Sequence, residues 1–195
     1  MENIIQAKKL TKVYGEKETS VTALDNIDVQ FNENEFTAIM GPSGSGKSTL
    51  LHCLAGLDRP TSGQILLKDQ DISTLNDKQL TKIRRDSFGF VFQAFNLIPT
   101  LTAEENITLP ASIAGRKPDM DWIKQVVETV DISDRLTHRP NELSGGQQQR
   151  VAAARAMATK PEVIFADEPS GNLDSKSSKE LLTFMKSVVE ELNQT

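Results

Sequence analysis

Short apolar and alternating segments dominate the two ends of the sequence. Residues 27–31 (IDVQF) alternate apolar and polar side chains, which is typical of a half-buried strand. Four further segments favour strands: FTAIM at 36–40, GQILLKD at 63–69, FGFVFQ at 88–93 and EVIFAD at 162–167. Since strands need partners for their backbone hydrogen bonds, these segments predict at least one sheet.

Helical periodicity dominates the middle and the end. Residues 47–57 predict a helix that ends near Gly56, and residues 96–141 are mostly helical, with apolar side chains four positions apart at Trp122, Val126 and Val130. The last segment places five apolar residues on one helical face: Leu181, Met185, Val188, Val189 and Leu192. This order predicts an α/β core interrupted by a helical lobe.

Composition suits a folded domain. The chain has 195 residues, of which 37% are hydrophobic and 25% charged, so one domain with an inserted lobe is expected. Its net charge is −5, whereas nucleic-acid binders carry a basic excess or stripe. The densest basic cluster, Lys82, Arg84 and Arg85, is short and flanked by Asp86, which favours a solvated helix face. We therefore expect no nucleic-acid partner.

Cellular location is suggested by what the sequence lacks. The first residues have no apolar core of a signal peptide, and no apolar run approaches the ~20 residues that cross a bilayer. The single cysteine, Cys53, lies in an apolar stretch and is expected to be a buried core residue. These features predict a cytoplasmic protein that reaches a membrane only through a partner.

A glycine-rich loop at 41–48 carries the first chemical signal. It reads Gly41, Pro42, Ser43, Gly44, Ser45, Gly46, Lys47 and Ser48, and it matches G-x-x-x-x-G-K-[ST]. Such a loop turns backbone N–H groups toward phosphates, while Lys47 supplies a positive charge and Ser48 a hydroxyl for Mg²⁺. A flexible Gly/Ser turn is the alternative, but the apolar segment before the loop and the helix after it favour nucleotide binding.

Two carboxylates and one amide follow predicted strands. Asp167 and Glu168 come directly after VIFA, where α/β sheets bind ligands. Asp167 suits water-mediated Mg²⁺ binding, and Glu168 suits proton acceptance from an attacking water. Gln93 ends FGFVFQ, where its amide oxygen reaches both metal and water. The alternatives are an exposed turn and an ordinary polar strand exit.

A second glycine-rich loop, LSGGQQQR, runs from Leu143 to Arg150. Ser144 and Gln147 have the spacing of a capping box, and the alanines that follow favour a helix. The loop therefore presents bare N–H groups at a helix N-terminus, which is a second anion site or simply a well-capped helix. One nucleotide is already wrapped by the first loop. We therefore expect a twofold dimer in which each copy lends this loop to its neighbour's ATP.

These motifs together resemble the nucleotide-binding subunit of ATP-binding cassette (ABC) transporters. The resemblance covers nearly the whole chain: GPSGSGKS is similar to Walker A, Gln93 to the Q-loop, LSGGQ to the signature, VIFADE to Walker B and GNLD (171–174) to the D-loop. It implies one ABC ATPase domain over 1–195, with a P-loop NTPase (RecA-like) core, an N-terminal antiparallel β subdomain and an inserted helical lobe. The core would span 1–93 and 150–195, and the lobe 94–149.

The resemblance also implies the residue roles. ATP and Mg²⁺ are the expected ligands, with Tyr14 stacked on adenine and the backbone N–H groups of 44–49 holding phosphates. Ser48, Gln93 and Asp167 would organise Mg²⁺, and Glu168 would be catalytic. The nucleotide contacts would be completed by Thr49 and Asp174 and, from the signature motif, by Ser144, Gly145, Gly146 and Gln147.

Within the family, the sequence resembles the lipoprotein-releasing and macrolide-export branch, which includes antimicrobial-peptide exporters. The resemblance implies a separate integral membrane permease and a peripheral location on the inner face of the cell membrane. The helical lobe and the segment after Gln93 would be the dock. Phe95, Leu97 and Ile98 would then couple nucleotide state to the permease, or they are ordinary core residues.

One departure concerns a switch histidine, which this family carries on a strand after the last helix. The sequence ends at Thr195, and its two histidines, His52 and His138, lie elsewhere. We therefore expect that strand and histidine to be missing, whether the chain is truncated or naturally short. We expect this form to bind ATP and to hydrolyse it slowly.

Three alternatives stay open at this stage. An ABC ATPase of cell division also resembles this branch. A GTPase or kinase would share the first loop. However, the sequence has no N-K-x-D segment, which recognises guanine in GTPases, and neither class of enzyme needs an LSGGQ segment. A nucleotide-gated interaction module with little hydrolysis is the third.

Overall fold

The computed structural model of the chain describes residues 2–92, 94–169 and 175–195. Its contacts divide the chain into a first unit, residues 1–84 with Thr195, and a second unit, residues 85–194. The lobe boundaries expected at 93/94 and 149/150 stay a prediction.

The first unit is built on an antiparallel sheet. Its elements in chain order are β1 (Asn3–Tyr14), β2 (Val21–Asn32), α1 (Lys47–Leu54), β3 (Ser62–Leu67) and β4 (Gln70–Asp71), with one 3-10 turn at Lys17–Thr19. The strand order is β2-β1-β3-β4. β1 is central because Ala7 pairs with Val29 on one side and with Ile65 on the other. The predicted strands at 27–31 and 63–69 are confirmed, the latter over Ser62–Leu67.

Residues 36–40 differ from the prediction. The structure has no strand there, and Met40 is 89% exposed although a buried position was expected. A strand is maintained by the ladder of a neighbouring strand, and none of the described strand pairs includes these residues. Apolar composition alone therefore indicated the wrong element.

Cys53 is a buried residue, as predicted, in α1. It has no exposed surface, and burial raises the pKa of its thiol to about 11. The thiol therefore stays protonated at neutral pH and acts as a small apolar group.

The second unit combines a short parallel sheet with helices. In chain order, α2 (Asp77–Ser87) runs from the first unit into it, and β5 (Phe88–Phe92), α3 (Ala103–Ile113), α4 (Met120–Thr129), α5 (Gly145–Met157), β6 (Val163–Asp167) and α6 (Ser175–Leu192) follow, with 3-10 turns at Ser133–Arg135 and Pro140–Glu142. β5 and β6 pair in parallel from Phe88↔Val163 to Phe92↔Asp167. The helical character of 96–141 and both predicted strands are confirmed.

α5 packs closely against β5. Four of its alanines are buried: Ala152, Ala153, Ala154 and Ala156. Small side chains allow this approach, and Gly89 of β5 completes it, since a Cβ there would collide with the carbonyl of Ala156. The alanines predicted as helix formers therefore also form the helix–sheet contact.

The apolar core of the second unit includes the predicted helical stripe. Val126 and Val130 are fully buried, and Trp122 packs against the same cluster while its indole N–H donates to the Met157 carbonyl at 2.8 Å. On α6, Leu181, Val188 and Val189 are buried. None of the described helices is both long and apolar enough to cross a membrane.

Asn106 is a fully buried polar residue that fixes the loop before α3. Its Oδ1 accepts from Ile98 N–H at 2.8 Å, and its Nδ2 lies within 3.2 Å of three carbonyl oxygens, those of Ile98, Leu101 and Thr102. Replacing the amide would leave buried backbone groups without partners.

We expect Asn106→Ala to lower the free energy of unfolding by about 2–4 kcal/mol, because at least one buried N–H and one carbonyl lose a partner. Urea denaturation measures this, with the exposed Asn141→Ala as control. Equal stability of the two variants would contradict the role given to Asn106.

Candidate active site

The first glycine-rich loop lies in the first unit and leads directly into α1. Gly46 caps the helix with φ 87°, and a Cβ there would collide with the carbonyl of Ala23. The first backbone hydrogen bond of α1 runs from Leu50 N–H to the Gly46 carbonyl at 2.8 Å. Gly46, as the N-cap residue, has no side chain that could accept a hydrogen bond from this helix. The first-turn N–H groups of α1 are therefore suited to bind an anion, as the motif predicts.

The ammonium group of Lys47 lies over the same loop. It donates to the carbonyl oxygens of Gly41 at 3.1 Å and of Pro42 at 2.8 Å. Positive charge is therefore placed beside the N-terminus of α1, where both the helix dipole and the lysine favour a phosphate.

Tyr14 ends β1 and belongs to a compact polar cluster. Its hydroxyl donates to Asp58 Oδ2 at 2.6 Å, and Lys12 Nζ lies 2.6 Å from Asp58 Oδ1 and 4.7 Å from the centre of the Tyr14 ring. The side chain of Thr49, in the first turn of α1, also interacts with the Tyr14 hydroxyl. The structure thus joins the predicted base-stacking residue to the helix that follows the phosphate loop.

Electrostatics in this cluster act on both ionisable oxygens. The hydrogen bond to Asp58, followed by burial, raises the pKa of Tyr14. Burial alone would raise the pKa of Asp58, but the hydrogen bonds from Lys12 and Tyr14 together outweigh it and hold that pKa below its usual value. At neutral pH the Tyr14 phenol is therefore neutral and Asp58 is a carboxylate.

The carboxylate pair lies at the end of β6 in the second unit. Asp167 is the last strand residue, beside Phe92 at the end of β5. Glu168 has φ 45°, a left-handed conformation that is unfavourable for a residue with a side chain. Such strain is commonly retained at functional sites. The turn moves exposed Glu168 out of the strand, as expected for a group that must reach water.

Gln93 and Asp174 lie outside the described residues, so their predicted roles stay predictions. Ser48 belongs to the first unit, and Asp167 and Glu168 belong to the second. Joint binding of Mg²⁺ by these side chains is likewise a prediction. The described residues contain no cluster of three or more His, Cys, Asp or Glu side chains placed to hold a metal ion.

The second glycine-rich loop begins α5 with the predicted capping box. Gln147 N–H donates to Ser144 Oγ at 3.3 Å, and Ser144 N–H donates to Gln147 Oε1 at 2.9 Å. This assigns Gln147 a structural role that the resemblance did not give it. Ser144, Gly145 and Gly146 are exposed.

Neither glycine of this loop is required by the described part of its own chain. Gly145 and Gly146 have helical backbone without a positive φ, and a Cβ on either would meet nothing within 4 Å among the described residues. Glycine in a helix is less favourable than alanine by up to about 1 kcal/mol. The chain therefore has a destabilising residue twice where none of its described residues needs the space.

α5 also holds the segments after β5 and β6. Arg155 donates to the carbonyls of Asn96 at 2.6 Å and Phe95 at 2.7 Å, which fixes the loop that follows Gln93. Gln149, a buried residue, donates to the Pro169 carbonyl at 3.1 Å, one residue beyond Glu168. Neither bond is predicted by the sequence pattern, because the partners are far apart along the chain. One helix therefore connects the second glycine-rich loop to the ends of both parallel strands.

The hydrophobic residues after Gln93 differ in burial, and their coupling role stays a prediction. Leu97 packs against the apolar core of the second unit, whereas Ile98 is 39% exposed. Phe95 is half-buried with φ 56°.

Comparison with known proteins decides the family. The ABC transporter family model matches residues 24–171. The chain belongs to the ABC transporter family. It is therefore an ABC-type ATPase domain with the α/β P-loop fold, as the motifs predicted.

Two similar relatives belong to the predicted branch. The lipoprotein-releasing system ATP-binding protein LolD of Cytophaga hutchinsonii is 44% identical over 197 residues, covering 100% of this chain and 88% of that protein. The macrolide export ATP-binding/permease protein MacB of Marinobacter nauticus is 47% identical over 184 residues, which is 93% of this chain and 29% of MacB.

A solved structure supports the fold over nearly the whole chain. The dimeric structure of MJ0796 of Methanocaldococcus jannaschii, an ABC transporter cassette, has a TM-score of 0.82 and 44% identity and covers 98% of this chain and 85% of that one. A second structure of that cassette, a dimeric post-hydrolysis state bound to ADP and Pi, has a TM-score of 0.81.

We expect Gly146→Ala to raise the free energy of unfolding of the chain without nucleotide by up to about 1 kcal/mol, because alanine favours the helix and meets open space. Chemical denaturation measures this. Gly89→Ala is the control and should destabilise, since its Cβ collides with backbone. A destabilised Gly146→Ala variant would show that the glycine serves its own chain.

The pKa of Tyr14 should fall toward its ordinary value in Asp58→Asn, because the hydrogen bond to the carboxylate is the main cause of its elevation. The folded-state pKa lies above the unfolded one. The stabilisation that the protonated Tyr14 hydroxyl gives the folded state is therefore complete below the unfolded-state pKa and is lost as pH rises through the folded-state pKa. Tyr14 is the only tyrosine, so tyrosinate absorbance during an alkaline titration reports it alone. Identical tyrosinate titration curves for wild type and Asp58→Asn would contradict the conclusion that Asp58 raises the pKa of Tyr14.

Proposed function

We propose that this ABC ATPase domain powers a transporter through ATP-dependent dimerisation. Two copies would bind two ATP molecules at their interface. Each nucleotide would contact the first glycine-rich loop of one copy and the second glycine-rich loop of the other. Hydrolysis would release the copies, and the cycle would drive a separate membrane permease.

The observation that carries this proposal is the open space at Gly145 and Gly146. Glycine is used where another group approaches the backbone closely. Among the described residues nothing of the same chain approaches these positions, which supports a contact with a group from outside the chain. Bare N–H groups at a helix N-terminus favour an anion there. A γ-phosphate held by a second copy fits both requirements. The dimeric MJ0796 structure is consistent with this arrangement.

In the proposed mechanism the first unit binds the nucleotide. Tyr14 stacks on the base, the N–H groups of 44–49 surround the phosphates, and Lys47 neutralises charge on the β- and γ-phosphates. Little covalent chemistry falls to these residues. They hold the terminal phosphate in position for in-line attack.

The second unit supplies the proton acceptor for hydrolysis, Glu168. Glu168 accepts a proton from the attacking water, and the exposed left-handed turn after β6 allows it to reach that water. Ser48, Gln93 and Asp167 carry hard oxygen donors of the kind Mg²⁺ prefers, alongside phosphate oxygens and waters. Bound Mg²⁺ would stabilise charge on the phosphates. Ser144 and Gly146 of the other copy close the site.

The branch of the family suggests the cargo class and the location. Because the relatives include LolD and MacB, we propose export or extraction of a lipid, peptide or drug-like molecule. The chain would lie in the cytoplasm on the inner face of the membrane, bound to its permease. The segment after Gln93, which Arg155 ties to α5, is the proposed coupling surface.

We test the proposal with Glu168→Gln. Loss of a general base should lower hydrolysis by about 10²–10⁴-fold without weakening ATP binding. With ATP and Mg²⁺, the variant should therefore accumulate as a dimer in sedimentation velocity, and it should be monomeric with ADP. Glu190→Gln, an exposed glutamate on α6, is the control and should behave as wild type.

A Glu168→Gln protein that is saturated with ATP and yet stays monomeric would overturn the proposed dimer. Unchanged hydrolysis in the variant would overturn the role of Glu168.

A further inference from the structure

Lys12 and Asp58 form an ion pair that the mechanism above does not use. Lys12 Nζ lies 2.6 Å from Asp58 Oδ1 and also donates to the Arg59 carbonyl at 2.8 Å. The side chains are 12% and 31% exposed, respectively, so the pair is more shielded from water than most of the exposed ion pairs of this chain. Pairs of this kind contribute more than exposed ones, because they are screened less.

This ion pair is directed at Tyr14. The second oxygen of Asp58 accepts from the Tyr14 hydroxyl at 2.6 Å, while the ammonium of Lys12 lies over the ring, 4.7 Å from its centre. Tyr14 is nevertheless 41% exposed. One face of the ring is therefore covered by a cation, the hydroxyl is anchored, and ring surface is left open to solvent.

We propose that Lys12 and Asp58 are positioning residues that hold the Tyr14 ring as a preformed platform for the nucleobase. This inference rests on the proposed function, in which Tyr14 stacks on the base of ATP. It adds the groups that orient the ring and the face that the base occupies, which is the one opposite Lys12.

The hydrogen bond from Tyr14 to Asp58 lowers the entropic cost of nucleotide binding. An exposed aromatic side chain at a strand end samples several rotamers, and binding would otherwise have to restrict them. Asp58 fixes the hydroxyl in the unliganded chain, so the ordering cost is met on folding rather than on binding. Thr49, two residues after Lys47, interacts with the same hydroxyl. The platform and the phosphate loop belong to the same unit.

The geometry also defines the ligand class. The cluster has an aromatic face for stacking, and none of its described groups is placed to form hydrogen bonds with the edge of a base. Stacking does not discriminate between bases, because each base has a π-face. The platform should therefore strengthen binding of ATP and GTP alike. It should not affect a ligand that has phosphates but no base.

The experiment measures the affinity of ADP, GDP and inorganic tripolyphosphate by calorimetry for wild type, Asp58→Asn, Tyr14→Phe and the double variant. Each single variant should bind both nucleotides about threefold to tenfold more weakly, the range of one hydrogen bond. The double variant should lose no more than Tyr14→Phe, because Asp58→Asn weakens and Tyr14→Phe removes the same hydrogen bond. Tripolyphosphate should bind all four proteins equally.

Asp119→Asn is the matched control. Asp119 pairs with Lys160 at 2.8 Å, and Lys160 lies 5.3 Å from the centre of the Trp122 ring, so this site repeats the chemistry in the second unit. The Asp119→Asn substitution should leave nucleotide affinity unchanged. Tyr14→Phe removes only a hydroxyl from a half-exposed ring and so keeps the test decisive should Asp58→Asn fold poorly.

Three results would overturn the platform while leaving the proposed function intact. These are full nucleotide affinity in Asp58→Asn or Tyr14→Phe, equal losses for nucleotide and tripolyphosphate, and losses that add in the double variant. A wild-type protein that binds no nucleotide would instead overturn the proposed function itself, and the platform with it.

Discussion

Open space at the start of α5 is the constraint on which the account depends. Gly145 and Gly146 are helical, exposed and free of contacts that a side chain would disturb among the described residues. Neither backbone conformation nor internal packing explains them, yet each weakens the helix. The proposed contact with a group from outside the chain accounts for them, since glycine lets another group approach the backbone closely and free helix N–H groups favour an anion. The dimeric architecture of the similar MJ0796 cassette agrees with that interpretation.

α5 connects this exposed terminus to the chemistry of the second unit. Arg155 holds the loop after β5, and Gln149 holds the chain just beyond Glu168. Burial lowers the pKa of Arg155, but a guanidinium stays charged at any physiological pH, so its bonds to the two carbonyls persist. Occupation of the α5 terminus by a second copy would therefore act on a rigid element that touches both strand ends.

Local patterns predicted the local features well. The capping box, the phosphate loop leading into α1, the two parallel strands and the family itself all follow from residues close in sequence. The strand expected at 36–40 was wrong because a strand depends on distant partners. For the same reason the sequence did not predict the cluster in which Asp58 contacts Tyr14 and Lys12, which lie 44 and 46 positions before it. Nor did it predict the bonds of Arg155 to carbonyls 59 and 60 positions away.

The sharing of each ATP between two copies is tested most directly by mixing two disabled proteins. A Lys47→Ala chain lacks the phosphate-binding lysine but keeps an intact second loop. A Glu168→Gln chain that also carries Gly146→Asp binds ATP but repels a partner's phosphate. Neither should dimerise alone with ATP and Mg²⁺, whereas the mixture should form heterodimers holding one ATP in native mass spectrometry. A mixture that stays monomeric, or a heterodimer that needs no ATP, would contradict the account.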